Sequence, residues 1–120
     1  MKDNTTTIAE LKQKAAQFIN ERNWRQFHGA KNLSMAITLE AAELMEIFTW
    51  ARDQREAAQL VQEKKEAVKH ELADIVFATL VFCDEFNIDL SEAIIEKIAH
   101  NAKKYPIEKA KGMNKKYNEL

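Results

Sequence analysis

The chain has 120 residues, with 18 Lys and Arg against 19 Asp and Glu and a formal charge of −1, a size that suits one domain. A balance so near neutral, with basic residues interleaved among acidic ones, argues against nucleic acid or an anionic membrane as the partner. Two glycines and one proline are too few for tight-turned sheets, dinucleotide folds or phosphate loops, so a nearly all-helical chain is expected.

The opening MKDNTTTIAEL carries no apolar signal segment. Thr7 and Glu10 make a capping-box pattern, and Ile8, Leu11, Ala15, Phe18 and Ile19 recur every three or four residues, predicting a first helix over 7 to 23. ERNWRQFHGAKN mixes aromatic, basic and glycine residues and reads as a connection that pivots at Gly29. A second helix is expected over 32 to 50, with Leu33, Ile37, Leu44, Ile47 and Phe48 toward the core. DQREAAQ is a polar break with room for a short helix at 54 to 61. A third helix follows over 62 to 86, solvated in its first half, buried in its second and stopped at Asn87. Asp89 and Glu92 cap a fourth over 90 to 104, with Leu90, Ile94, Ile95 and Ile98 as its apolar side and Pro106 beyond its end. The expected organisation is an all-α domain over residues 1–106 and a polar tail, 107–120, whose weak periodicity is compatible with partial disorder.

Four main helices with short links indicate a bundle. The stretch ELADIVFATLVFC, residues 71–83, is apolar on most of its circumference from Leu72 onward. A helix apolar nearly all round needs more neighbours than one small bundle supplies, which favours a core completed by oligomerisation over a monomer with a generous core. No run approaches the length of a membrane span. The single cysteine, Cys83, falls inside this apolar run and reads as a reduced core residue, hence a cytoplasmic setting.

Asp74 is the one charge between Leu72 and Cys83, and an ionised carboxylate away from water is expensive unless something compensates it. Its helix also carries Glu71, three residues earlier, and the second helix carries Glu40, Glu43 and Glu46 at intervals of three. Residues so spaced neighbour one another on a helix face. Two such pairs on facing helices place four carboxylates around one volume, with Glu46 either extending the cluster or lying on the surface. Their repulsion calls for protons or cations. All-oxygen ligands suit Mg2+ or Mn2+, zinc would want Cys or His, and the Glu-x-x-His pairs of a ferritin-like di-iron site are absent. The plain alternative is that the glutamates are solvated residues of amphipathic helices. A carboxylate-held Mg2+ points to phosphate-anhydride hydrolysis as the leading chemistry.

Glu40-x-x-Glu43, 27 intervening residues, then Glu71-x-x-Asp74 resembles the signature of the all-α nucleoside triphosphate pyrophosphohydrolases, the MazG-like group, and within it the small dCTP pyrophosphatase branch. The similarity runs from Ile8 to Pro106 and includes ERNWRQFH, KNLSMAITLEAAELMEIFTW, HELADIV and KIAHNAKKYP. It implies a MazG-like four-helix bundle, a homo-oligomer, typically a tetramer built as a dimer of dimers, and Mg2+-dependent cleavage between the α and β phosphates to a nucleoside monophosphate and pyrophosphate. It implies metal binding by Glu40, Glu43, Glu71 and Asp74, with Glu43 also orienting or deprotonating the attacking water. Trp24 and His28 match positions near the nucleotide, Trp50 an aromatic that helps enclose the base, and Lys97 and Asn101 polar residues that reach phosphate or sugar; Lys104 and Tyr105 fall in the same stretch. Ala78 and Ala15 depart from the branch, where some members carry an aromatic and a histidine, and this leaves the base preference open.

Read without the resemblance, Trp24 and Phe27 plug the end of the bundle and Trp50 belongs to an interface. Lys97, Lys103 and Lys104 compensate a helix dipole, and Tyr105-Pro106 ends a helix. Two further functions stand beside the leading one. The first is a phosphoribosyl-ATP or dUTP-type hydrolase of the same fold. The second is a non-enzymatic helical interaction protein, which explains the apolar helix but not Asp74.

Overall fold

The computed structural model describes residues 1–120, all helix, turn and coil without a strand. α1 spans Ile8–Glu21, α2 Ala30–Glu46, α3 Gln54–Glu63, α4 Lys65–Glu85, α5 Leu90–Lys104 and α6 Ile107–Ala110. The four long helices expected from periodicity are α1, α2, α4 and α5, and the short helix in the polar break is α3. The chain forms two compact units, Met1–Asn87 and Ile88–Leu120.

In the first unit, α1 begins as its sequence dictates. The Glu10 amide donates to Thr7 Oγ1 at 3.1 Å and the Thr7 amide donates to Glu10 Oε2 at 2.6 Å, satisfying two amides that the first turn leaves open. These bonds hold the Glu10 carboxyl below its usual range. Its other end is a Schellman motif. The Asn23 amide donates to Asn20 O and the Trp24 amide to Ile19 O, each at 3.1 Å, while Asn23 adopts φ 53°, the left-handed conformation that asparagine tolerates better than most residues. α2 starts earlier than expected, with Gly29 as its N-cap in extended conformation, and ends earlier, at Glu46. Residues 47–49 wind on through i→i−3 amide bonds to Leu44, Met45 and Glu46, a tighter spiral than the α-helix. Asp53 caps α3 by accepting from the Glu56 amide at 2.8 Å. The expected single helix over 62–86 is interrupted at Lys64, φ −115° and ψ 36°, which ends α3 and precedes α4. Every residue of VQEKKEAV continues a helix comfortably, so nothing local announces that break. Asn87, at φ 53°, stops α4 as its residue type suggests.

The core is built around α4. Of the eight buried apolar residues, Val68, Ala78, Leu80, Val81 and Cys83 belong to α4, Ala15 and Ile19 to α1 and Leu33 to α2, and both α1 and α2 pack on α4. Burying one Leu, Ile or Val side chain contributes roughly 1.5–3 kcal/mol. Thr79, the uncharged polar residue of the apolar run, is satisfied within the helix by donating to Ile75 O at 2.8 Å. No side chain reaches complete burial, and Leu11, Phe18, Leu72 and Val76 keep more than a third of their surface in solvent.

In the second unit, Asp89 caps α5 by accepting from the Glu92 amide at 2.9 Å, and Lys103 and Lys104 occupy the last turn, where cations oppose the helix dipole. Pro106 precedes the four-residue α6, and a 3₁₀ turn spans Tyr117–Glu119. Tyr117 packs edge-on against Tyr105 at 6.3 Å, with the Lys104 ammonium 4.8 Å above its ring.

Candidate functional site

Glu40, Glu43 and Glu71 converge. One carboxylate oxygen from each lies within 4.8 Å of the others. The i,i+3 spacing brings Glu40 and Glu43 to one face of α2, and the packing of α2 on α4 delivers Glu71. From this cluster a recess of about 270 Å³ runs past Glu40, Ala36 and Leu33 on α2 and past Asp74, Phe77, Ala78 and Val81 on α4, with Ile19, Trp24 and His28 closing it from α1 and the connection. Numbers fall along α2 as they rise along α4, so the two helices run in opposite directions. Asp74 lies one turn beyond Glu71, outside the tight group of three but on the recess wall, and close enough to act on both Glu40 and Glu71 electrostatically. Its carboxylate reaches water. Glu46 is exposed and takes no part in the cluster.

Electrostatics mark the cluster as under-compensated. Desolvation first, then the negative charges of Glu43 and Asp74, push the Glu40 carboxyl above its ordinary value of 4.5. Desolvation and then Glu43, which lies near enough to share a proton, push Glu71 up in the same way, with His70 opposing weakly. Glu40 Oε2 and Glu71 Oε2 are both buried and without a hydrogen-bond partner, an arrangement that costs free energy unless a proton or cation occupies it. Three convergent carboxylates with two orphaned oxygens and no nearby sulfur or imidazole in the group form a donor set that fits a hard divalent cation.

Aromatic residues stand at the other end of the recess. Trp24 packs edge-on against Phe18 at 5.8 Å, and Phe18 against Phe77 at 5.6 Å, so the Schellman turn that ends α1 also fixes the indole at the recess wall. His28 Nδ1 is buried there without a partner. Ala78 lines the recess, whereas Ala15 lies in a separate apolar groove with Leu11, Phe18, Val76 and Leu80. Of the two alanines that left base preference open, one therefore touches this recess within the chain. Trp50 is placed elsewhere. It is 90% exposed and borders a separate depression with Ile47, Leu60 and Lys64. Lys97, Asn101, Lys104 and Tyr105 belong to the second unit, where Lys97 and Asn101 are exposed on α5, Lys104 lies over Tyr117, and the Tyr105 amide donates to Asn101 O at 2.8 Å. Leu33, Ala36 and Phe77 were not singled out from the sequence as site residues. Their signal was present: they extend the two carboxylate faces by three or four residues in the direction of Trp24.

Three comparisons bear on this geometry. The model of the MazG-like family matches residues 35–120. The chain is 33% identical over 115 residues to dCTP pyrophosphatase 1 of Rattus norvegicus, covering 95% of this chain and 68% of the relative, and 31% identical over the same span to dCTP pyrophosphatase 1 of Homo sapiens. The crystal structure of a pyrophosphatase from Archaeoglobus fulgidus superposes with a TM-score of 0.81 at 34% identity, covering 88% of this chain and 98% of that one.

Proposed function

Because the chain belongs to the MazG-like family and is a nucleoside triphosphate pyrophosphohydrolase, we propose that it hydrolyses nucleoside triphosphates between the α and β phosphates in a Mg2+-dependent reaction. Deoxynucleotides are the proposed substrates, with dCTP, which the curated relatives are named for, the first to try. The observation that carries this reading is the pair of buried, unpartnered carboxylate oxygens of Glu40 and Glu71 beside a recess walled by Trp24. Glu40, Glu43, Glu71 and Asp74 would hold the cation, with Mn2+ as a substitute. When bound, such a cation draws charge from the phosphate oxygens.

The chain's own residues then divide the work. Trp24, Phe77 and the aliphatic lining take up the flat base, the part of a nucleotide that gains from leaving water. His28 Nδ1 offers an unsatisfied buried polar atom to a base or sugar group. Glu43, the most open of the three clustered glutamates, orients a water and accepts its proton as the water oxygen bonds to the α phosphorus. The bond from that phosphorus to the bridging oxygen breaks, and pyrophosphate leaves with the electron pair. Trp50, Lys97, Asn101, Lys104 and Tyr105 are proposed as further substrate contacts in the assembled oligomer. A homotetramer, arranged as a dimer of dimers, is supported by the apolar residues left open on several helices, among them Leu39, Val76, Ile95 and Ile98. A cytoplasmic setting suits the buried free thiol of Cys83.

The non-enzymatic interaction protein considered from the sequence is set aside, since the relatives are enzymes. A different base preference within the fold keeps one observation in its favour: Ala36 and Ala78 present only methyl groups to the recess. Incubation with each canonical dNTP and NTP plus Mg2+, separating pyrophosphate from orthophosphate, tests both readings. Pyrophosphate release fastest with dCTP is the expected result. Orthophosphate release would move the cleaved bond, and no turnover of any nucleotide would overturn the reading.

A further inference from the structure

Arg25 stands between the two residues, Trp24 and His28, that bring the connection to the recess. Its guanidinium is engaged in three directions: Nε lies 2.9 Å from Glu85 Oε2, Nη2 3.1 Å from Asp84 Oδ2, and Nη1 donates to Asn20 Oδ1 at 3.3 Å. Asp84 and Glu85 occupy the last turn of α4, which has no basic residue of its own. Carboxylates there are repelled by the negative end of the helix dipole. One arginine from the connection therefore answers two carboxylates and a helix terminus. Its planar fork can hold the three directions at once, which a lysine ammonium on a flexible stem does less well. The 3₁₀ turn Arg25–Phe27 that carries it is only three residues long and has no side-chain cap, so little in its own backbone fixes its attitude toward α4.

We propose that Arg25 is a positioning residue. By tying the connection to the C-terminal turn of α4, it holds Trp24 and His28 in the geometry that receives the substrate. This assignment rests on the recess being the substrate site. Arg25 lines neither the recess nor the carboxylate cluster, so its effect is on binding and leaves the chemical step intact.

The test compares the full-length protein with Arg25→Gln, Arg25→Lys and the charge exchange Arg25→Glu with Glu85→Arg. Arg25→Gln raises KM about fivefold with kcat changed by less than about twofold, as expected for two partly exposed bridges acting only on binding. Arg25→Lys and the charge exchange recover part of the loss. A second readout needs no turnover: with Trp50→Phe as background, acrylamide quenching of Trp24 rises in Arg25→Gln. If that variant does not fold, Arg25→Lys carries the same comparison at smaller amplitude. Unchanged KM and unchanged Trp24 quenching, with only a lower melting temperature, would reduce the bridges to a stabilising role and overturn the proposal. A fall in kcat at constant KM would overturn it too. Absence of turnover in the unmodified protein would sink the substrate reading instead, and Trp24 quenching would still decide whether Arg25 fixes the connection.

Discussion

Glu40 illustrates what a single side chain costs in an unfavourable position. Its Oε2 is buried without a partner and its neighbours are negative, so in the metal-free protein its charge weakens the fold. Glu40→Gln removes that charge while keeping the shape. It should raise the melting temperature in EDTA, abolish the stabilisation that Mg2+ is expected to give the unmodified protein, and lower kcat/KM by about 100-fold or more. Thermal melting with and without Mg2+, together with pyrophosphate release, checks all three. The pH dependence has a definite sign. Glu40 and Glu71 have folded-state pKa values above the ordinary 4.5. The folded state therefore holds their protons more tightly than the unfolded chain does, and stability present in acid is lost as pH rises through the raised values. In EDTA the melting temperature should decline as the pH rises above 4.5 and through those raised values, and saturating Mg2+ should remove the decline. Glu10 and Glu56, whose values are lowered, act on the acid side of 4.5 and leave that window to the cluster. A flat profile in EDTA would show that the cluster is not electrostatically strained.

At the level of elements, the turn after α1 does two jobs. Asn23 at φ 53° closes the helix, and the same turn delivers Trp24 onto Phe18 at 5.8 Å. Asn23→Ala forces an alanine into the left-handed region and should cost about 1 kcal/mol in urea unfolding, whereas Asn23→Gly should be neutral or slightly stabilising. If the turn fixes the indole, Asn23→Ala also raises KM. The helix starts at Thr7 and Asp89 were legible because capping is local chemistry, with donor and acceptor three residues apart. The ends of α2 and the break at Lys64 were not. No glycine or proline marks the end of α2 at Glu46 or the break at Lys64, and where such a helix stops depends on what it packs against.

For the whole molecule, the question is what covers the apolar surface. Leu72 and Val76, one turn apart on α4, are 48% and 46% exposed, and Val76 belongs to the groove beside α1. A homo-oligomer that buries this groove predicts that Val76→Lys shifts sedimentation toward a smaller species at equal protein concentration. Because Trp50, a proposed substrate contact, borders a separate depression rather than the recess, the smaller species should also lose activity. A monomeric unmodified protein would contradict both expectations.

The amino-acid sequence by itself determined the all-helical class, the caps, and the i,i+3 pairing of carboxylates, since each follows from spacing along one helix. Tertiary structure decided which carboxylates meet. Glu40, Glu43 and Glu71 form the tight group, Asp74 lies on the recess wall, and Glu46 turns to solvent. That outcome depends on the register in which α2 packs on α4. Such packing joins residues as far apart as Glu43 and Glu71, 28 positions along the chain, and no local pattern encodes it.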